Sequence, residues 1–177
     1  YVEIVNTKMS YPNSALVGLT MDSSQFSSIP TRSYLVDGLY IKVPKNYDPV
    51  TRAYATSGAG TSNGGWDGTF KMAVSNNPAW ILYDLMTTNR YGLGQYLAEN
   101  PSSALIDVAK LYSIGKYCDG MVSDGYGGME PRFVVNTVIQ QQVEAYKLIA
   151  DLCSAFRGMS YWNGGIACFT QDSPTTP

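Results

Sequence analysis

The feature that most constrains this chain is Asn76-Asn77-Pro78, set between a strand-like run, Phe70 to Val74, and an apolar run that begins at Ala79. Asn caps a helix through its side-chain oxygen, and Pro fits the first turn, where its missing N–H costs nothing. The spacing predicts a strand over 70–74 and a helix from 78 to about 88. Ala79, Trp80, Tyr83, Leu85 and Met86 form the helix's apolar face, and Asn89, Gly92 and Gly94 supply its stop. Trp80 and Tyr83 lie three apart on that face, which favours core packing over an exposed stacking platform. The chain reads as β-rich before this stretch and helical after it, so the expected class is α+β.

Upstream, residues 1–5, 15–21 and 34–43 are rich in Val, Ile, Leu and Tyr and read as strands. Turn-formers separate them: Tyr11-Pro12-Asn13-Ser14, the stretch 23–30, and Asp37-Gly38 inside the third run. Three strands make a poor independent domain, so their partners lie either later in the chain or outside it. The expected organisation is a β-rich segment over 1–50, a flexible Gly/Ser-rich loop over 51–65 and an α+β lobe over 66–177. A phosphate-binding role for that loop is disfavoured, because no Gly-Lys-Ser/Thr ending leads into a helix.

Downstream, Pro101-Ser102-Ser103 reads as the start of a second helix running to about Val122, with Leu105, Val108, Ala109, Leu111, Tyr112, Ile114 and Cys118 in its stripe. A turn cluster over 123–128 and a strand over 132–139 come next. A third helix is expected over 141–157, with Tyr146, Ile149, Cys153 and Phe156 inward and Gly158 as its cap. Residues 159–162 and 166–170 flank Asn163-Gly164-Gly165 as a β-hairpin.

Little in the chain points to catalysis. It contains no histidine, which removes the commonest general base and metal ligand. Cys118, Cys153 and Cys168 have no zinc spacing and read as core thiols. Asp67, Asp84, Asp119, Asp124 and Glu130 are the only acid–base candidates. Asp67 in Trp-Asp-Gly-Thr suits a local side-chain-to-backbone turn instead. Asp124 to Glu130 lacks the alternating ligands of a calcium loop. Glu130-Pro131-Arg132 suggests a structural ion pair or a subunit contact. A net charge of −2 argues against electrostatic nucleic-acid binding, and no apolar run approaches the roughly 20 residues that span a bilayer. The rival readings are a cell-wall hydrolase using Asp67, Asp84 and Glu130, and a glycan-binding face built on Trp66, Trp80 or Trp162.

A series of motifs occurs here in a familiar order: Tyr47-Asp48-Pro49, Trp66-Asp67-Gly68-Thr69-Phe70, Asn77-Pro78-Ala79-Trp80, Tyr83-Asp84-Leu85 and Arg90-Tyr91-Gly92-Leu93-Gly94. Tyr117-Cys118-Asp119, Asp124-Gly125, Gly127-Gly128, Glu130-Pro131-Arg132-Phe133 and Phe156-Arg157-Gly158-Met159 continue it. Together they strongly resemble the tail-tip host-specificity proteins (J proteins) of lambda-like siphophages. The resemblance covers nearly the whole chain and implies a piece of a much longer protein, in keeping with a first residue of Tyr1 rather than Met. It further implies a trimeric hub at the end of the tail tube, of which residues 1–50 belong to a barrel-like lobe. Other tail proteins are the implied partners, with host contact made by regions outside these residues. The implied place is the virion tail tip, after synthesis in the host cytoplasm. It implies no catalytic residue, cofactor or metal. Two departures stand out. The 55–65 loop is longer than the family's usual link, and the third helix starts at Gln140-Gln141-Gln142 without a Ser or Thr cap, a loss of about 1 kcal/mol.

Overall fold

Asn77 opens its helix as expected. In the computed structural model, which describes residues 14, 16–22, 24–97, 105–139 and 144–173, its side chain accepts a hydrogen bond from Ala79 N and Pro78 takes the first helical position. The chain divides into two units, Tyr1–Val36 and Asp37–Pro177.

In the first unit no strand forms among the described residues. The strand expected over 15–21 is absent across 16–21, where Leu16, Val17 and Leu19 are exposed. Alternation makes a strand only where a partner ladder exists, and none of the described residues supplies one here. The expected strand over 1–5 lies outside the described residues. Asp22 closes a turn by accepting from Ser24 N at 2.9 Å through its carboxylate and from Gln25 N at 3.1 Å through its carbonyl.

The second unit begins its regular structure with β1 (Tyr40–Pro44), so only the end of the expected 34–43 strand forms one. Next come β2 (Tyr47–Asp48), β3 (Ala53–Tyr54), β4 (Thr61–Ser62) and β5 (Gly65–Trp66), which pair as two tight hairpins. The glycine-rich stretch thus carries strand pairing of its own. Asn63 and Gly64 both have positive φ, 52° and 78°, the geometry of the two-residue hairpin turn that suits Asn-Gly. β6 (Phe70–Val74) returns antiparallel to β1, with Tyr40 opposite Val74 and Pro44 opposite Phe70.

Helix α1 (Pro78–Thr87) ends at Thr88, whose N–H bonds Asp84 O at 2.8 Å. The chain then folds back so closely that Leu93 N donates to Leu85 O at 2.8 Å. A Cβ at Gly92 would strike that same Leu85 carbonyl, so the glycine is required by close approach rather than by its own φ. A short turn of helix, α2 (Gly94–Leu97), follows.

The second expected helix is later and shorter than its composition suggests. α3 spans Val108–Asp119, and its cap is Asp107, which accepts from Lys110 N at 2.9 Å. The expected start at Pro101 lies outside the described residues. Leu105 and Ile106 are used differently. Ile106 bridges Ala167 in parallel, with Ala167 N donating to Leu105 O at 2.7 Å, so these apolar residues extend a sheet. Beyond α3, β7 (Met121–Ser123) pairs with β8 (Met129–Pro131) across the expected turn.

The expected strand over 132–139 does not form. Arg132 N donates to Gly120 O, Phe133 N to Cys118 O and Val135 N to Asn76 O. The Cys118 and Gly120 carbonyls at the C-terminal end of α3 lack intrahelical partners, and together with the Asn76 carbonyl ahead of α1 they take these donors in place of a ladder. α4 (Ala145–Ser154) is shorter than the expected 141–157; its N-cap, Glu144, makes no side-chain bond, and positions 140–143 lie outside the described residues. Tyr146, expected inward, is exposed, while Leu152, Cys153 and Phe156 are buried. The left-handed position after the helix is Arg157, at φ 56°, and Gly158 instead begins β9. β9 (Gly158–Asn163) and β10 (Ile166–Gln171) form the expected hairpin about Gly164-Gly165. Among the described residues the sheets are separate antiparallel pairs, and none closes a barrel.

α1 stands between two cores. Ala79, Leu82 and Met86 pack with Leu111, Ile114 and Cys118 of α3, Leu152 and Phe156 of the α4 region, and Phe169 of β10. Trp80 joins Ile41, Val43 and Tyr47 on the other side. All three cysteines are buried and free, as their apolar surroundings suggested.

Candidate functional site

The densest cluster of polar chemistry lies where α1 begins and α3 ends. Asp119, the last residue of α3, accepts from Arg52 Nη1 at 2.7 Å, Tyr54 OH at 2.8 Å and Asn77 Nδ2 at 2.7 Å. Arg52 reaches it from the turn between β2 and β3, and its Nη2 also donates to Asn76 Oδ1. Asn77 donates to Gly115 O at 2.9 Å while capping α1, and Trp80 Nε1 donates to Tyr54 OH at 3.1 Å. One carboxylate thereby ties the small hairpin to both helices.

Aromatic rings enclose this knot. Tyr47 stacks on Tyr54 with centroids 4.5 Å apart, Trp66 stacks on Tyr112 at 5.1 Å, and Phe70 stacks on Tyr83 at 4.4 Å. Trp66 and Phe70 meet edge to face at 4.9 Å, so four of the motif residues, Trp66, Phe70, Trp80 and Tyr83, form one contiguous group. A second knot holds the far end of α1. Asp84 accepts from Lys42 N at 2.9 Å and from Tyr91 OH, while Lys42 Nζ bonds Thr87 O at 3.1 Å.

Neither knot is arranged for acid–base work. Asp84 and Asp119 are buried and accept from fixed donors, so each serves packing and registry. Asp67 holds its own turn, accepting from Thr69 N at 2.9 Å with Gly68 at φ 86°. Asp124 likewise accepts from Tyr126 N and Gly128 N. Glu130 makes no ion pair with Arg132. Among the described residues the ion pair present is Arg52–Asp119, and Arg132 instead lies 4.1 Å over the Tyr117 ring. Of the tryptophans offered for glycan stacking, Trp80 is fully buried, Trp66 is packed among rings, and Trp162 is exposed on the hairpin. Among the described residues no group of His, Cys, Asp or Glu could hold a metal, and no helix is long and apolar enough to cross a membrane.

Burial shifts several groups in one direction. The Cys118 thiol is pushed up to about 12 by burial and by the neighbouring Asp119 charge, and Cys153 to about 11 by burial. Tyr91 rises to about 12 through burial and its bond to Asp84, and Tyr47 and Tyr54 rise well above the ordinary phenol range for the same kind of reason. In the unfolded chain these groups lose protons first, so the folded state holds more protons in alkali and stability falls as pH rises. The contribution is whole below about pH 9 and is lost through pH 11–12. The urea midpoint is therefore expected to drop between about pH 8 and about pH 11. A flat midpoint across that interval would contradict this burial.

No family model matches the chain. Curated relatives do. Tip attachment protein J of Escherichia phage SECphi27 is 49% identical over 178 residues, covering 100% of this chain and 14% of that protein. Tip attachment protein J of Escherichia phage SECphi4 is 37% identical over 172 residues, covering 97% of this chain and 14% of that protein. The chain belongs to the tip attachment protein J family. It spans about 14% of the length of these relatives. The family expected from the ordered motifs is the family found. Most of the motif residues that carry the resemblance lie in three places in the fold: the aromatic group around Trp80, the Asp84–Tyr91 knot with Gly92 and Gly94 behind it, and a separate region holding Arg132, Phe133, Arg157 and Gly158. Glu130 and Pro131 lead into that last region from β8. Tyr112, expected in the apolar stripe of the second helix, packs against the core around Trp80, whereas Arg52 and Tyr54 are the structural residues that sequence reasoning missed. Their one visible signal is that Arg52 is among only 12 basic residues and stands beside a tyrosine-rich run.

Proposed function

We propose that this chain is a structural part of a phage tail tip, contributing to tail assembly, host attachment and DNA delivery by shape and contact rather than catalysis. The observation that carries this reading is 49% identity, over the whole of this chain, to a tip attachment protein J. The burial of Asp84 and Asp119 in structural knots supports the non-catalytic part. On this reading residues 37–177 form an α+β part of the hub, in which β1 pairs with β6. The full-length protein self-associates as a trimer, contacts other tail proteins, and reaches the host through other regions. It is made in the host cytoplasm and resides at the virion tail tip.

The test is immunogold microscopy of virions carrying the full-length protein, using antibodies raised against this chain. Label is expected at the distal end of the tail. Label on the capsid or along the tube would refute the assignment.

A further inference from the structure

Two signature motifs that are distant in sequence meet at one cleft of about 530 Å³, lined by Tyr117, Arg132, Phe133, Arg157, Asp172 and Ser173. Nothing in the structural knots around Asp119 and Asp84 uses it. Arg132 is held rigidly: its backbone N donates to Gly120 O at 2.9 Å, its guanidinium lies over the Tyr117 ring, and its Nη1 donates to Tyr117 OH at 3.1 Å. Its Nε is buried and meets no acceptor among the described residues. A buried donor without a partner costs stability, which marks a place where an acceptor belongs. Arg157 is fixed from the other side. Its N donates to Ser154 O at 3.1 Å, its carbonyl accepts from Asp172 N at 2.9 Å, and φ is 56°. Its side chain is exposed and makes no ion pair among the described residues, although Asp172 stands in the same wall.

We propose that this cleft receives a carboxylate, the side chain of a glutamate or aspartate on a neighbouring protein chain. Two guanidiniums supply the charge and the planar donor pairs that a carboxylate matches. The Tyr117 and Phe133 rings supply an apolar wall for the methylenes of such a side chain. The surroundings discriminate against a phosphate. Tyr117 lies in the last turn of α3 and Arg157 just beyond α4, so the C-terminal ends of two helices, where partial negative charge collects, lie next to the cleft. The Asp172 carboxylate adds to that field. A dianion meets this repulsion more strongly than a monoanion does. That the carboxylate belongs to a protein rests on the assembly role proposed above; the carboxylate chemistry itself does not.

The test is NMR of the arginine Nε–H signals of the 177-residue chain, titrated with N-acetylglutamate α-amide. N-acetylglutamine amide and inorganic phosphate, at matched ionic strength, are the comparisons. The glutamate compound is expected to shift the Arg132 and Arg157 signals saturably, the glutamine compound to leave them unmoved, and phosphate to bind more weakly. Arg157→Gln, on an exposed side chain, is expected to weaken the glutamate compound about tenfold with the remaining spectrum unchanged. Arg132→Lys, which keeps the charge and loses the fork, is expected to weaken it comparably. No saturable shift, or affinity untouched by Arg157→Gln, would overturn the proposal. Tighter binding of phosphate would overturn it too, assigning the cleft to a phosphorylated ligand. Failure here would leave tail-tip labelling unaffected, and mislabelled virions would leave carboxylate binding intact, so the two readings fail separately.

Discussion

Asp119→Ala is expected to remove about 3–5 kcal/mol of folding stability, the range for breaking a buried ion pair by deleting one partner. The pair is well shielded, with side-chain exposures of 15% for Arg52 and 3% for Asp119. The loss is not of one bond alone. Arg52 Nη1 keeps its charge without a counter-ion, and the Tyr54 hydroxyl and one amide hydrogen of Asn77 lose their acceptor. Tyr54 in turn accepts from Trp80, so the disturbance reaches the second core. Against a typical total of about 5–15 kcal/mol, such a loss removes a large share of the margin or nearly all of it. Urea unfolding followed by far-ultraviolet dichroism measures it. A double-mutant cycle with Arg52→Ala separates the ion pair from the Tyr54 and Asn77 contributions. If Asp119→Ala costs under about 1 kcal/mol, the knot is solvated rather than buried.

The parts of this fold that were legible in sequence are those decided by local chemistry. Asn77-Pro78 marks a helix start because the cap and the proline act within one turn, and the structure uses both. Asp67 and Asp124 close their own turns for the same reason. Gly164-Gly165 between two β-prone runs gives the terminal hairpin. Composition concealed one local signal: Asn63-Gly64 is a hairpin turn inside a stretch that reads in bulk as loop.

What was not legible depends on partners far along the chain. Residues 132–139 have a strand-like pattern, but the N–H groups of Arg132, Phe133 and Val135 are claimed by Gly120, Cys118 and Asn76 carbonyls that only the folded chain brings near. Leu105 and Ile106 fit a helical stripe equally well, yet Ala167 draws them into pairing, and Asp107 becomes the cap. Residues 16–21 show the converse, a strand pattern whose ladder partner is missing among the described residues. The central knot joins Arg52 to Asp119 across 67 positions, a separation that no local pattern encodes. The motifs place Trp66, Phe70, Trp80 and Tyr83 in three separate stretches of sequence, and nothing in them reveals that these rings touch.

Trp80→Ala is the second large effect, expected at about 3–5 kcal/mol, the usual loss for truncating a buried aromatic. Trp80 is at 0% exposure and sits where α1 faces β1 and α3 together. Its neighbours are shaped to it. A Cβ on Gly115 would lie 3.0 Å from two atoms of the indole ring, so α3 approaches this side chain as closely as a glycine permits. The helices cannot collapse into the resulting void without breaking the bond from Asn77 to Gly115 O, so the cavity cost persists. Trp162→Ala is the matched control, the same substitution at a side chain 64% exposed, and a change within about 0.5 kcal/mol is expected. Urea midpoints of the two variants decide the matter together. Equal losses would mean that Trp162 is covered in solution, and a negligible loss at Trp80 would mean that the core between α1, β1 and α3 is not packed as described.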